Sequence, residues 1–191
     1  MKPFRRRRRG GVYAVFDVHE AEMLANLEAQ LIELVSDRSG PSEASPDPLF
    51  AQLDVDGPRT APEDPVLARL FPDAYGDDEE SAAEFRRFTE RDLASNKIDN
   101  ATAVLQTLSA GGLLLDGSEQ SVKEVEVELD DDAVQAWLRS LTDIRLSVAV
   151  RLGLDDDGTE ALDRSDEGVA LMADIYEWLG FVQESLVQAL G

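Results

Sequence analysis

One eight-residue segment, VKEVEVEL at residues 122–129, alternates strictly between charged and apolar side chains from Glu124 onward. Successive side chains of a β-strand point to opposite faces, so this pattern places Val125, Val127 and Leu129 together on one face. The segment therefore predicts a half-buried strand. It constrains the fold because most other apolar residues recur at helical spacing, and the two signals together predict an α+β protein that is predominantly α-helical.

A second β signal lies in the N-terminal segment FRRRRRGGVYAVF. Gly10 and Gly11 are typical of a two-residue turn whose positive φ angles glycine adopts easily, and the residues after them are β-branched or aromatic. We predict a β-hairpin over residues 4–17. With residues 122–129 it would form a small three-stranded antiparallel sheet.

The hairpin begins with five consecutive arginines: Arg5, Arg6, Arg7, Arg8 and Arg9. In a strand the first, third and fifth of them share one face, and the other two share the opposite face. If the 122–129 strand is the neighbour, its glutamates (Glu124, Glu126 and Glu128) lie beside one arginine face and partly neutralise it. A solvated, disordered arm and a contact with nucleic acid are the two alternative interpretations of the same run.

Helical periodicity accounts for most of the remaining chain. We predict four main helices and a short one that starts at Pro65; the main helices cover residues 18–35, 78–108, 131–152 and 169–190 approximately. Acidic N-cap residues precede the short helix and the first three main helices, and two of them form capping boxes with a glutamate three residues later. The simple N-caps are Asp64 and Asp130, and the capping boxes are Asp17 with Glu20 and Asp77 with Glu80. Between the first two main helices, residues 37–62 are rich in proline, serine, glycine and acids, which predicts a flexible loop within a single domain of residues 1–191.

The charge distribution bears directly on partners. The chain has 40 acidic and 18 basic residues and a net charge of -22, yet six of the basic residues lie within the first nine positions. An acidic body repels duplex DNA, so direct nucleic-acid binding is not expected except through the arginine run. No stretch approaches the length of a membrane-spanning helix, and no secretory signal follows the arginines. We therefore expect a cytoplasmic protein.

No catalytic apparatus can be recognised in the sequence. Cysteine is absent, which excludes disulfides and thiol chemistry, and His19 is the only histidine. The acid-rich stretches at 52–63 and 155–158 each fail the ligand pattern of a calcium-binding loop. We predict no cofactor, no metal and no enzymatic activity; a hydrolase that uses a pair of carboxylates is kept as an alternative.

Several charged side chains interrupt the apolar stripes of the predicted helices, namely Arg86, Arg87, Arg139, Asp143, Arg145 and Arg151. A partly buried charge needs an opposite charge. They therefore form ion pairs between helices or a face that binds a partner, and with Arg5–Arg9 they are the candidate partner-binding residues. We expect the aromatic residues near them (Phe85, Phe88, Trp137, Tyr176 and Trp178) to lie in the core.

Four segments carry a family resemblance: DPVLARLFPDAY (64–75), EFRRFTERDL (84–93), AWLRSLTDIRLSVAVRLGL (136–154) and IYEWLGFVQESLVQAL (175–190). In this combination and order they resemble the actinobacterial oxidative-stress-regulator family, formerly a domain of unknown function. The resemblance implies a small cytoplasmic protein that takes part in the transcriptional response to oxidative stress by contacting an alternative sigma factor. It also implies a redox-active cysteine pair, which this chain lacks.

The hypothesis from the sequence is a non-enzymatic regulator of the transcription machinery that acts by protein–protein contact. Its partner would be a sigma factor or an RNA polymerase subunit, and a homodimer is compatible with it. The acidic body suits the basic surfaces of sigma factors. The first alternative is a DNA-binding module that uses the arginine hairpin, and the second is the carboxylate-pair hydrolase.

Overall fold

The structure, a computed structural model, describes residues 1–8, 10–38, 58, 60–75, 78–116, 118, 120, 122–154 and 164–191. Three strands and five helices follow one another in these residues: β1 (Lys2–Arg6), β2 (Val12–Asp17), α1 (Val18–Arg38), α2 (Pro65–Leu70), α3 (Glu79–Ala110), β3 (Glu124–Leu129), α4 (Asp131–Arg151) and α5 (Glu167–Leu190). The predicted class, α+β with a predominance of helix and a small antiparallel sheet, is confirmed. No helix in the described ranges is long and apolar enough to cross a membrane.

The order of the strands differs from the predicted neighbourhood. The sheet is antiparallel with the order β1-β2-β3, so β2 separates the arginines of β1 from the glutamates of β3. Two charge pairs nevertheless form over the central strand: Lys2 binds Glu124 at 3.0 Å, and Arg7 binds Glu128. Strands two positions apart lie about 10 Å from each other, a gap that only long side chains can bridge. Partial neutralisation by Glu124 and Glu128 is therefore found, but without direct pairing in the ladder.

The turn of the hairpin is longer than the predicted two residues. The amide of Gly10 donates to the carbonyl of Arg7 at 3.3 Å, and the amide of Arg7 donates to the carbonyl of Gly11 at 3.1 Å. Both glycines have positive φ angles. Gly11 is also close to the third strand, since a Cβ atom there would lie 2.3 Å from the carbonyl oxygen of Leu129. Glycine at this position lets the hairpin approach the end of β3.

Short acidic side chains begin the helices as predicted. At α1, Oδ1 of Asp17 accepts the amides of His19 and Glu20 at 2.9 and 3.0 Å, while Oε2 of Glu20 accepts the amide of Asp17. The bond from the Glu20 amide is the main reason that the pKa of Asp17 lies below its usual value. Asp64, Asp130 and Asp166 cap α2, α4 and α5. The cap of α3 is Asp78, one residue later than the predicted Asp77.

The apolar face of the sheet packs against helices to form the core. Phe4 and Phe16 contact the ring of Trp137 with centroid distances of 5.7 and 5.9 Å. The indole Nε1–H of Trp137 donates to Oγ1 of Thr107 at 2.9 Å, which satisfies the one polar atom of this buried ring. This cluster joins the sheet, α3 and α4.

Part of the predicted loop over residues 37–62 lies in a helix, because α1 continues to Arg38. Residues 39–57 and 59 lie outside the described residues, as does the acidic stretch 155–158 that was considered for metal binding.

Candidate partner-binding surface

The two halves of helix α3 contact the rest of the protein through different kinds of side chains. With 32 residues it is about 48 Å long. Its C-terminal half buries Ala101, Val104 and Leu108 in the core. The inward face of the N-terminal half instead carries small or charged residues, which are Ala82, Arg86, Glu90 and Ala94. This half therefore depends on ion pairs where a core helix ordinarily has leucines.

Three ion pairs fasten this half and the middle of α3. Glu90 is 3% exposed and accepts from Nε of Arg38, the last residue of α1, at 2.6 Å. Arg86 is buried and binds Asp73. Nζ of Lys97 donates to Oδ1 of Asp143 in α4 at 2.7 Å. Arg86 and Asp143, both candidate partner-binding residues, are thus held within the fold.

The outward face of the same half of α3 carries exposed aromatic side chains among its acidic residues. Phe85 and Phe88, predicted to be core residues, are 39% and 54% exposed, and Tyr75 is 50% exposed. Tyr75 and Phe85 meet edge to face at 5.9 Å, and Arg87 lies over the ring of Phe88 at 5.2 Å. We call Tyr75, Phe85 and Phe88 the aromatic patch. The core prediction is wrong for these two phenylalanines because α3 turns Arg86 and Glu90 inward.

A groove of about 530 Å³ lies between α3, α4 and α5. Its walls are Leu93, Asn96, Lys97 and Asn100 from α3, Leu138, Arg139, Thr142 and Asp143 from α4, and Gln183 from α5. We call it the central groove. Arg139 is exposed there and makes no hydrogen bond or ion pair with the part of the chain that the structure describes. This candidate residue is therefore available to a partner.

The other two arginines of α4 differ in their surroundings. Arg145 is half-buried; its guanidinium donates to Oε1 of Gln183 at 2.7 Å and lies 5.0 Å from the ring centroid of Tyr176. Its Nε is buried without a partner, and no carboxylate among the described residues pairs with it. Arg151 is exposed at the end of α4, away from the central groove.

The arginine run is divided in its contacts. Arg7 binds Glu128, and Arg6 donates to the carbonyl of Leu190 at 3.1 Å. Arg5 and Arg8 are exposed and bind nothing in the described ranges. Arg9 lies outside the described residues. Two of the five predicted side chains therefore serve the fold.

The sequence interpretation missed a buried acid, Glu28. Its side chain is inaccessible to solvent, Oε2 accepts from Oγ of Ser140 at 2.5 Å, and Oε1 is buried with no partner. Burial raises the pKa of Glu28 to about 8, and the negative charge of Asp143 adds to the shift. The signal was present in the sequence, because Glu28 follows Leu24 by four residues and precedes Leu31 by three, a position on the apolar stripe.

The carboxyl groups of Glu28 and Asp143 do not form a site that a substrate can enter. Burial raises the pKa of Asp143 as well, against the opposing effect of Lys97, but Glu28 does not line the central groove. Within the described residues, no group of three or more histidine or acidic side chains is placed to hold a metal ion. The chemistry that the surface offers is that of hydrogen bonds, ion pairs and apolar contact.

Comparison with known proteins agrees with the resemblance seen in the sequence. A family model described as "Domain of unknown function (DUF2017)" matches residues 1–190. The chain belongs to the DUF2017 family. No solved structure matches the chain.

Two mycobacterial relatives are similar over most of their length. The protein named "Putative oxidative stress regulator AosR" of Mycobacterium leprae is 29% identical over 90% of this chain and 79% of its own length. The "Oxidative stress regulator AosR" of Mycobacterium tuberculosis is 30% identical over 90% of this chain and 78% of its own. The predicted membership of the oxidative-stress-regulator family is thereby confirmed.

Proposed function

We propose that this DUF2017 protein is a regulator of the response to oxidative stress that acts by binding a protein of the transcription machinery. The similarity to proteins named oxidative stress regulators supports the stress role. The observation that carries the mode of action is the aromatic patch, because exposed aromatic side chains beside an arginine are typical of protein interfaces. An alternative sigma factor is the partner that we propose, in the cytoplasm and without enzymatic chemistry.

The proposed contact has two physical components. Tyr75, Phe85 and Phe88 would supply apolar area at the centre of the interface. The net charge of -22 would attract the basic surface of a sigma factor from a distance and raise the association rate. Because the chain has no cysteine, a thiol switch cannot control this binding.

The test is binding of the purified chain to each purified alternative sigma factor and to core RNA polymerase of the source organism. The variant Phe85→Ser/Phe88→Ser should weaken binding at least about tenfold, as loss of interface aromatics typically does. Leu171→Ser is the matched control, since Leu171 is 63% exposed but lies on α5. Failure of the native chain to bind any of these proteins would refute the partner. Equal losses in both variants would refute the patch.

The stress role needs a separate measurement in cells. A strain that lacks the gene should show an altered transcriptional response to hydrogen peroxide, restored by the native gene and not by the Phe85→Ser/Phe88→Ser form. An unchanged response in the deletion strain would contradict the proposed role.

DNA binding through the hairpin is the second candidate, and exposure of Arg5 and Arg8 is the observation that favours it. The variant Arg5→Ser/Arg8→Ser leaves the contacts of Arg6 and Arg7 intact. Duplex DNA binding with a steep salt dependence that disappears in this variant would support a DNA-binding module. The hydrolase alternative has no comparable support, because Glu28 cannot contact a substrate.

A further inference from the structure

The charges in the central groove differ from those of the chain as a whole. Lys97 and Asp143 neutralise each other at 2.7 Å, which leaves Arg139 as the unpaired charge among the lining residues. The net charge of the chain is -22. The lining residues of the groove therefore carry one net positive charge on a strongly acidic protein, and an unpaired arginine favours an acidic ligand group.

Arg145 strengthens this local charge. Its partners are the neutral groups of Gln183 and Tyr176, and its buried Nε has no partner. Gln183 joins it to the groove, since the same amide group donates to Oγ1 of Thr142 at 2.8 Å. A guanidinium that is half removed from water and lacks a carboxylate is a costly arrangement. An acid bound nearby would reduce that cost.

The remaining lining residues suit a peptide segment. Asn96 and Asn100 lie one turn apart on α3, and their side chains make no hydrogen bonds with the described residues, so the side-chain amides are available to a partner backbone or side chain. Leu93, which is 44% exposed, and Leu138 add apolar area on opposite walls. A volume of about 530 Å³ holds several side chains. The groove is open to solvent, which suits a segment of a larger protein better than an enclosed small molecule.

We infer that the central groove binds an acidic segment of a partner protein, with an aspartate or glutamate paired to Arg139 and an apolar side chain between Leu93 and Leu138. This inference rests on the proposal that the protein acts by contact with another protein. It adds a second surface of opposite polarity, because the acidic body attracts basic partners while the groove selects an acid.

The test uses a display library of helical peptides with seven randomised positions, selected on the full chain. We expect enrichment of peptides that combine Asp or Glu with a leucine-like residue. Arg139→Glu should weaken their binding at least about tenfold, because it places like charges opposite each other. Arg151→Glu is the matched control: it makes the same charge change on the same helix outside the groove, and should alter the affinity less than twofold.

Three results would overturn the inference. The first is enrichment of peptides without acidic residues, or of none. The second is an equal loss of affinity in Arg139→Glu and Arg151→Glu, which would indicate a general charge effect. The third is displacement of the peptides by free glutamate at equal concentration, which would indicate a small-molecule site. Because no sigma factor takes part, the outcome is separable from the test of the proposed function.

Discussion

The hydroxyl of Ser140 in α4 donates to the carboxyl group of Glu28 in α1 at 2.5 Å, and neither residue is accessible to solvent. The pair joins two helices of the core. Glu28 keeps a proton at neutral pH, since burial raises its pKa to about 8 from an ordinary value of 4.5. The proton is therefore a structural component of the core.

The stability of the native chain should fall as the pH rises from 5 to 8. In this interval the folded state holds the Glu28 proton and the unfolded state has lost it. The free energy of unfolding therefore falls by on the order of 1 kcal/mol for each pH unit. Glu28→Gln cannot ionise and should lack this contribution. Urea unfolding at several pH values measures the free energies of unfolding of the native chain and of Glu28→Gln. The difference between them should change in favour of the variant as the pH rises. Parallel curves for the two proteins would contradict the assignment.

Loss of one member of the Arg38–Glu90 pair should destabilise the fold strongly. Glu90→Gln leaves the Arg38 guanidinium, 15% exposed, without its charge partner, and breaking a buried pair costs about 3 kcal/mol. Glu177→Gln is the control, because Glu177 pairs with Arg164 on the surface and exposed pairs contribute no more than about 1 kcal/mol. Chemical unfolding measures both. Similar effects of the two changes would show that the interior pair has no special role.

Alanine at Gly11 should cost more stability than alanine at Gly10. Both positions have positive φ angles, with a cost of about 1–3 kcal/mol for other residues. Only Gly11 adds a collision, since its Cβ would lie 2.3 Å from the carbonyl oxygen of Leu129, whereas nothing lies within 4 Å at Gly10. Thermal unfolding of the two variants ranks them. An equal or smaller loss at Gly11 would mean that the hairpin does not approach β3 as described.

Charge reversal at Glu128 of β3 should reduce the stability of the fold more than charge reversal at Glu126. Glu128 pairs with Arg7, whereas Glu126 has no ion pair within the described residues. At low salt Glu128→Lys should reduce stability by no more than about 1 kcal/mol, and added salt should diminish the loss. Glu126→Lys should have the smaller effect. Melting temperatures at two salt concentrations test this prediction. A larger loss of stability in Glu126→Lys than in Glu128→Lys would contradict a stabilising role of the Arg7–Glu128 pair.

The phenylalanines of the aromatic patch should contribute little to stability. Phe85→Ala should change the free energy of unfolding by no more than about 1 kcal/mol, because the ring is already in contact with water. Phe4→Ala should cost about 3–5 kcal/mol, since that ring is 5% exposed and packs on Trp137. Equal costs would place Phe85 in the core, as its helical spacing first indicated.

Local patterns predicted the elements well. The spacing of Asp17 and Glu20 gave the start of α1, and the alternation of 122–129 gave β3. Local patterns could not predict the strand order, because it depends on which edge of the hairpin pairs with β3. They could not predict the contact of Gly11 with Leu129 either, since it arises only in the folded chain. The resemblance to the family was recognisable from four segments of the sequence. The residues of this chain that contact a partner were not.

The surface was harder to predict than the fold. Periodicity assigns apolar residues to the interior, and on α3 this led to Phe85 and Phe88. The interior face is instead Ala82, Arg86, Glu90 and Ala94, spaced by four residues. Their burial depends on Arg38 and Asp73, which lie distant in sequence. Of the predicted partner-binding residues, four are exposed and form no ion pair with the described part of the chain, namely Arg5, Arg8, Arg139 and Arg151.

The unequal attachment of α3 has a consequence for its local unfolding. Opening the N-terminal half returns Arg86 and Glu90 to water, where hydration compensates for the lost ion pairs, while opening the C-terminal half exposes Val104 and Leu108. Amide hydrogens near Glu90 should therefore exchange with solvent well before those near Leu108. A single continuous helix thus contains two cooperative units, and the less protected unit is the one that carries the aromatic patch.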